Sequence, residues 1–142
     1  MRPTLILAAV LVVGACFLLD PTVDEPGLII FYEFPSVFTA ADSAAPGESI
    51  TVMIRTFGGG CTREIAHTFV DVKGLVAEIR PYNETKRGCA PDDDLLFLDH
   101  RVTIAFNEPG VATIRAVGER RTAVGAASSQ APAQLTRQVV IH

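Results

Sequence analysis

Tryptophan is absent from this 142-residue chain, tyrosine occurs only at positions 32 and 82, and lysine only at 73 and 86. So few amphipathic rings leave little platform for stacking sugars or unpaired bases. The formal net charge is −4, and no basic cluster exceeds Arg120-Arg121. That balance argues against nucleic acid as a partner. The longest apolar stretch, Thr4 to Leu19, falls short of the ~20 residues that cross a bilayer. No segment sustains a helical period.

Signatures of catalysis and cofactor binding are missing as well. Ser36, Ser43, Ser49, Ser128 and Ser129 lie in no Gly-x-Ser-x-Gly context. Gly58-Gly59-Gly60 runs into Cys61, not into the Gly-Lys-Ser/Thr of a phosphate loop. His67, His100 and His142, with Met53, have no ligand spacing for copper or zinc, and read as ordinary strand or terminal residues. Asn83-Glu84-Thr85 matches a glycosylation sequon, read here as chance. The chain is therefore read as a non-enzyme with no cofactor.

What is present begins with cysteine arithmetic. Of the three cysteines, Cys16 closes an N-terminal apolar segment, while Cys61 and Cys89 lie far downstream. Setting Cys16 aside leaves an even pair, as expected for one disulfide in an exported protein. Met1-Arg2-Pro3 is basic, Thr4–Val13 is apolar, and small residues follow. Those are the proportions of a secretory signal, expected over residues 1–15.

The closing Val13-Gly14-Ala15-Cys16 resembles the lipobox of bacterial lipoproteins. The resemblance implies cleavage before Cys16 and diacylglycerol on its thiol, often with a further acyl chain on the new amino group. At about 0.8 kcal/mol per buried methylene, such chains make a lasting membrane anchor. Two readings compete: an ordinary signal-peptidase cut after Ala15, and an uncleaved apolar span. Phe17, where an aspartate would resemble an inner-membrane retention signal, points to the outer membrane or the cell surface.

Residues 16–27 are expected to carry the lipid and form an extended tether, with one domain over 28–142. There the chain becomes short β-branched runs separated by turn signals, an all-β pattern. Strands are expected at about 28–34, 49–57, 64–72, 75–82, 97–106, 111–118 and 135–141. Ile50, Val52 and Ile54 alternate with Thr51, Met53 and Arg55; Val102, Ile104 and Phe106 alternate with Arg101, Thr103 and Ala105. A period of two puts each apolar set on one face, so the expected architecture is two stacked antiparallel sheets. Phe106–Gly118 resembles the penultimate hairpin of bacterial immunoglobulin-like domains, which implies an immunoglobulin-like β-sandwich of about seven strands.

If each strand crosses the sandwich once, loops 58–63, 83–96 and 119–134 share one end. The connections 35–48, 73–74 and 107–110 then share the other. Cys61 and Cys89 fall at the same end, as a disulfide between them requires. Closing that loop stabilises by about 3–4 kcal/mol. The segment 119–134 is small and polar, and reads as a mobile hairpin tip.

Asp92, Asp93 and Asp94, with Glu84 and Asp99 nearby, are weak candidates for a calcium site. Three consecutive carboxylates point in different directions, and no Asp-x-Asp-x-Asp-Gly occurs. A solvated acidic turn is the plainer reading. The sequence supports an envelope lipoprotein, bound to the membrane through Cys16, whose long loops contact an envelope protein. Metal or small-ligand binding by the acidic stretch 92–99 is the alternative.

Overall fold

The computed structural model describes residues 22–89, 94–122 and 129–142. Eleven strands run through them, with no helix among the described residues, so the all-β class holds. β1 (Thr22–Pro26) and β2 (Leu28–Phe31) are separated only by Gly27. β3 (Phe34–Pro35), β4 (Phe38–Thr39) and β5 (Ser43–Ala44) are two-residue pieces of one long connection. β6 (Ile50–Gly58), β7 (Thr62–Lys73), β8 (Val76–Lys86), β9 (Leu96–Ile104), β10 (Gly110–Thr122) and β11 (Ser129–Ile141) carry most of the sheet. The seven expected strands correspond to β2 and to β6 through β11.

The period-two pattern is realised in the burial of the long strands. Ile50, Val52, Ile54 and Thr56 point inward from β6; Ala77, Ile79, Pro81 and Asn83 do so from β8. Ala112, Ile114, Ala116 and Gly118 do the same from β10. Ile29, Ile104, Phe106, Val139 and Ile141 complete a single apolar core. Each large aliphatic or aromatic side chain buried there contributes roughly 1.5–3 kcal/mol.

The connectivity departs from the expected antiparallel pair of sheets. All eleven strands belong to one hydrogen-bonded mixed sheet, curled as a half-barrel. β10 runs parallel to both β8 and β2, and β11 runs parallel to β5. The physical reason is simple: alternation decides which face of a strand is buried and is blind to its neighbour's direction. The long strands also reach beyond their expected ends, β8 to Lys86 and β10 to Thr122, with β11 starting at Ser129. Ladder pairing of the β10–β11 hairpin, which no apolar alternation announces, orders Glu119–Thr122 and Ser129–Gln134.

The three long loops share one end as expected, but β2 runs toward that end, parallel to β10, so the connection 35–48, expected at the opposite end, sets out from the loop end. Gly58 lies opposite Leu96, Thr62 opposite Thr85, and Thr122 opposite Ser129. Because β8 and β10 are parallel, the connections 59–61, 87–95 and 123–128 all leave from one end. Cys61 and Cys89 form a disulfide there, with their Cα atoms 5.9 Å apart. β1 begins at this end too, since Thr22 pairs with Lys86. Residues 22–26, expected within the tether, are thus a strand of the sheet.

β8 and β10 lie side by side only over Val76–Ile79 and Thr113–Ala116. Beyond that they separate, and β1–β2 fills the fork: β1 pairs antiparallel with β8, and β2 pairs parallel with β10. Gly27 sits at the crotch, donating its N–H to Pro81 O at 2.7 Å and accepting from the Glu119 N–H at 2.9 Å. A Cβ on Gly27 would stand 2.6 Å from Thr56 Cγ2, and one on Gly118 would collide with the Gly27 carbonyl oxygen and crowd Ile29. The requirement is for space. Gly118→Ala should destabilise the fold by about 3 kcal/mol or more, since backbone and not a flexible side chain must yield. Urea unfolding with an unchanged slope checks it; a loss below about 1 kcal/mol would show the fork to be loosely packed.

Candidate functional site

The loop end opens into a cavity of about 510 Å³. Glu25 and Pro26 of β1 form one wall, and Leu28, Phe31 and Tyr32 another. The turn Gly58–Thr62 and the residues Asp94 and Leu95 close a third side, with Glu119, Arg121 and Gln130 facing them. Segments remote in sequence therefore meet at one opening, the arrangement in which loop-borne binding sites are usually built.

Polar groups in the wall are held by one another. The Gln130 amide, oriented to satisfy both neighbours, donates to Glu119 Oε2 at 3.1 Å and accepts from Arg121 Nη2 at 2.9 Å. Arg121 Nε is buried and has no hydrogen-bond partner among the described residues. Thr85 donates to Glu25 Oε2 at 3.0 Å and shares a 2.9 Å hydrogen bond with Thr62. Tyr32 adopts a left-handed backbone, φ 58°, fixed by its N–H donating to the Arg121 carbonyl at 2.7 Å. Such a conformation is costly for a tyrosine and persists only where its surroundings hold it.

An apolar groove of about 450 Å³ adjoins the cavity and shares Phe31, Tyr32, Phe57 and Leu95 with it. Its rings form a chain: Phe31 to Tyr32 at 4.2 Å, Phe31 to Phe57 at 5.5 Å, and Phe57 edge-on to Phe97 at 5.9 Å. Arg55 lies over the Phe97 ring, 5.4 Å from its centroid, while its guanidinium grips both oxygens of Asp99.

The acidic candidates are divided by the structure. Asp92 and Asp93 lie outside the described residues. Asp94 accepts from the Gly60 N–H at 3.1 Å and from Arg63 at 2.8 Å, and the Gly60 amide, then Arg63, holds its pKa below the usual carboxylate range. Asp99 is lowered chiefly by its hydrogen bonds to Arg55. Both carboxylates thus spend their charge on arginines. No group of three or more His, Cys, Asp or Glu among the described residues is placed to hold a metal ion.

Gly59 and Gly60 have φ values of 133° and 57° and make a tight turn, closed by a 2.7 Å bond from Gly59 N–H to Thr62 O. His67 is exposed, stacked on Tyr82 at 4.6 Å and within 3.3 Å of Asp24. His142 is exposed at the last position. Asn83 is only 2 % exposed, so its sequon is closed to glycosylation in the folded protein.

Beneath the cavity lies a buried polar cluster that motif reading missed. Asn83, which also lines the cavity floor, accepts from His100 Nε2 at 2.9 Å and donates to Thr56 Oγ1 at 3.0 Å. Thr68 Oγ1 meets His100 Nδ1 at 2.8 Å. One neutral tautomer satisfies both contacts: the Nε2–H donates to the Asn83 amide oxygen, and Nδ1 accepts from the Thr68 hydroxyl. A signal was available. Thr56, Asn83 and His100 each continue an inward-facing apolar alternation with a polar residue, all toward the loop end.

Burial pushes the His100 pKa down to about 4; Asp99 opposes the shift and His67 adds to it. A folded-state pKa below the unfolded value of about 6.5 means that the unfolded chain takes up the proton first. The stability tied to neutral His100 is complete above pH ~6.5 and is lost as pH falls toward ~4. At pH 5 the loss should be about 2 kcal/mol relative to pH 7.5. Asp94 and Asp99, with lowered pKa values, give up their contributions only in more acid solution. Urea unfolding at the two pH values tests this, and His100→Gln should flatten the dependence. An equally steep slope in that variant would locate the titration elsewhere.

Comparison of the chain with protein-family models, with curated proteins and with solved structures finds no match.

Proposed function

We propose that the chain is a bacterial envelope lipoprotein, anchored through lipid on Cys16, and that it acts as a non-enzymatic binding module. Its loop end receives an envelope protein, with the cavity as the contact. One observation carries this reading: β1, the turn Gly58–Thr62, Asp94 and Leu95, the paired ends of β10 and β11, and Tyr32 all line a single opening of about 510 Å³. The wall combines apolar rings with the Glu119–Gln130–Arg121 group, the mixture that gives a partner both buried area and orientation.

The immunoglobulin-like kinship belongs to the same proposal. What supports it is that inward residues of β6 and the segment Ile104–Phe106 share one core with those of β8, β10 and β11, as facing layers of a sandwich do. The alternative, metal or small-ligand binding on the acidic stretch 92–99, is weakened by the arginine partners of Asp94 and Asp99.

Photocrosslinking in the native envelope tests the proposal, with a probe replacing Ser129 at the cavity end and another replacing Asn107 at the opposite end. The expected outcome is one discrete adduct, identifiable by mass, from position 129 alone. Equal adducts from both positions, or none from either, would contradict a loop-end contact. In the same cells Cys16→Ser should release the protein from the membrane or leave its precursor uncleaved.

A further inference from the structure

We infer that the aromatic groove beside the cavity docks on the lipid bilayer surface, its rings entering the interfacial region. The inference rests on the proposed lipid anchor at Cys16; Phe34 and Phe97 line the groove alone, while Phe31, Tyr32, Phe57 and Leu95 line the cavity as well. Phe34 is 69 % exposed, Phe97 56 %, Leu95 46 % and Tyr32 42 %. A contiguous apolar patch of this kind marks a contact surface more often than it marks idle exterior.

Chain length says which surface that is. Were residues 16–27 a free tether, the domain could stand ~35 Å from the membrane and turn in any direction. Pairing of Thr22–Pro26 with β8 removes most of that freedom. Six residue steps separate Cys16 from Thr22, which spans at most ~20 Å when fully extended. Thr22 lies opposite Lys86 at the loop end, so that end is the one held near the lipid.

The groove sits at the same end. Glu25 and Pro26, the last residues of the strand leading in from the anchor, line the cavity that Phe31, Tyr32, Phe57 and Leu95 also line. Anchor strand and aromatic rim are thus walls of one opening. The chemistry suits an interface. Tyr32 offers a ring with a polar tip, and amphipathic rings favour the headgroup level. Two of the charges beside the rings are compensated, Arg55 by Asp99 and Asp94 by Arg63, while the exposed Glu33 between Tyr32 and Phe34 stays at the headgroup level with its carboxylate in water.

The absence of tryptophan makes the test clean, because any introduced indole is the sole reporter. Phe34→Trp, Phe97→Trp and, at the far end, Val111→Trp replace exposed side chains and should leave the melting temperature unchanged. Each lipidated protein is reconstituted into phosphatidylethanolamine–phosphatidylglycerol vesicles with brominated acyl chains, floated, and its Cys16 acylation read by intact mass. Indole emission from positions 34 and 97 should fall by roughly half or more, with emission from position 111 unchanged. Flotation with the indole at 34 quenched no more than the one at 111, yet open to aqueous acrylamide, would overturn docking and leave the anchor standing. An indole at 34 shielded from both quenchers would mean that a second copy or another protein covers the groove, which also overturns it. An unacylated protein that fails to float would overturn the anchor, and the docking with it.

Discussion

One backbone residue, Gly27, holds together strands that would otherwise part. Its N–H reaches Pro81 of β8 and its carbonyl receives the N–H of Glu119 of β10, at the point where those parallel strands diverge. Without β1–β2 in the fork, the sheet would open along unsatisfied backbone groups, each costly when removed from water. The fork admits this segment only because Gly27 and Gly118 lack side chains where three pieces of backbone converge. The curl of the sheet, the place where β1 enters, and the cavity above all depend on that crossing.

The same divergence explains where polar residues are tolerated. Near the closed half of the sheet the inward positions are aliphatic: Ile50, Val52, Ala77, Ile114. Toward the loop end, where β8 and β10 separate, they become Thr56, Asn83 and His100. These groups satisfy one another, so burial costs little while His100 is neutral. The core thus passes from apolar packing to a hydrogen-bonded floor to an open cavity along one axis. That gradient leaves a polar-floored site with aromatic flanks at the end that carries the long loops.

Strand positions, the inward residues and the common end of the three long loops were legible in the sequence, because each follows from a period of two and from counting crossings; the direction of β2, and with it the starting end of 35–48, was not. Cys61 and Cys89 were legible for the same reason. Strand direction was not, since Ala112–Ile114–Ala116 reads alike whether its neighbour runs parallel or antiparallel. β1 was hidden because Thr22–Pro26, with an acid pair and two flanking prolines, resembles a linker; its pairing depends on the space beside Gly27, which no propensity records. The cavity was illegible as a whole, because Glu25, Tyr32, Asn83, Arg121 and Gln130 carry no motif and meet only through the fork. The long loops pointed to the end that holds the cavity without naming the residues that line it.

Amide hydrogen exchange at Gly27 and Glu119 tests the fork most directly. If the crossing holds the sheet together, both amides should exchange only through global unfolding, as slowly as the ladder amides of Ile79 and Ile114. Exchange at Gly27 and Glu119 orders of magnitude faster than at Ile79 and Ile114 would contradict the account. It would mean that β1–β2 detaches while the remaining sheet stays intact.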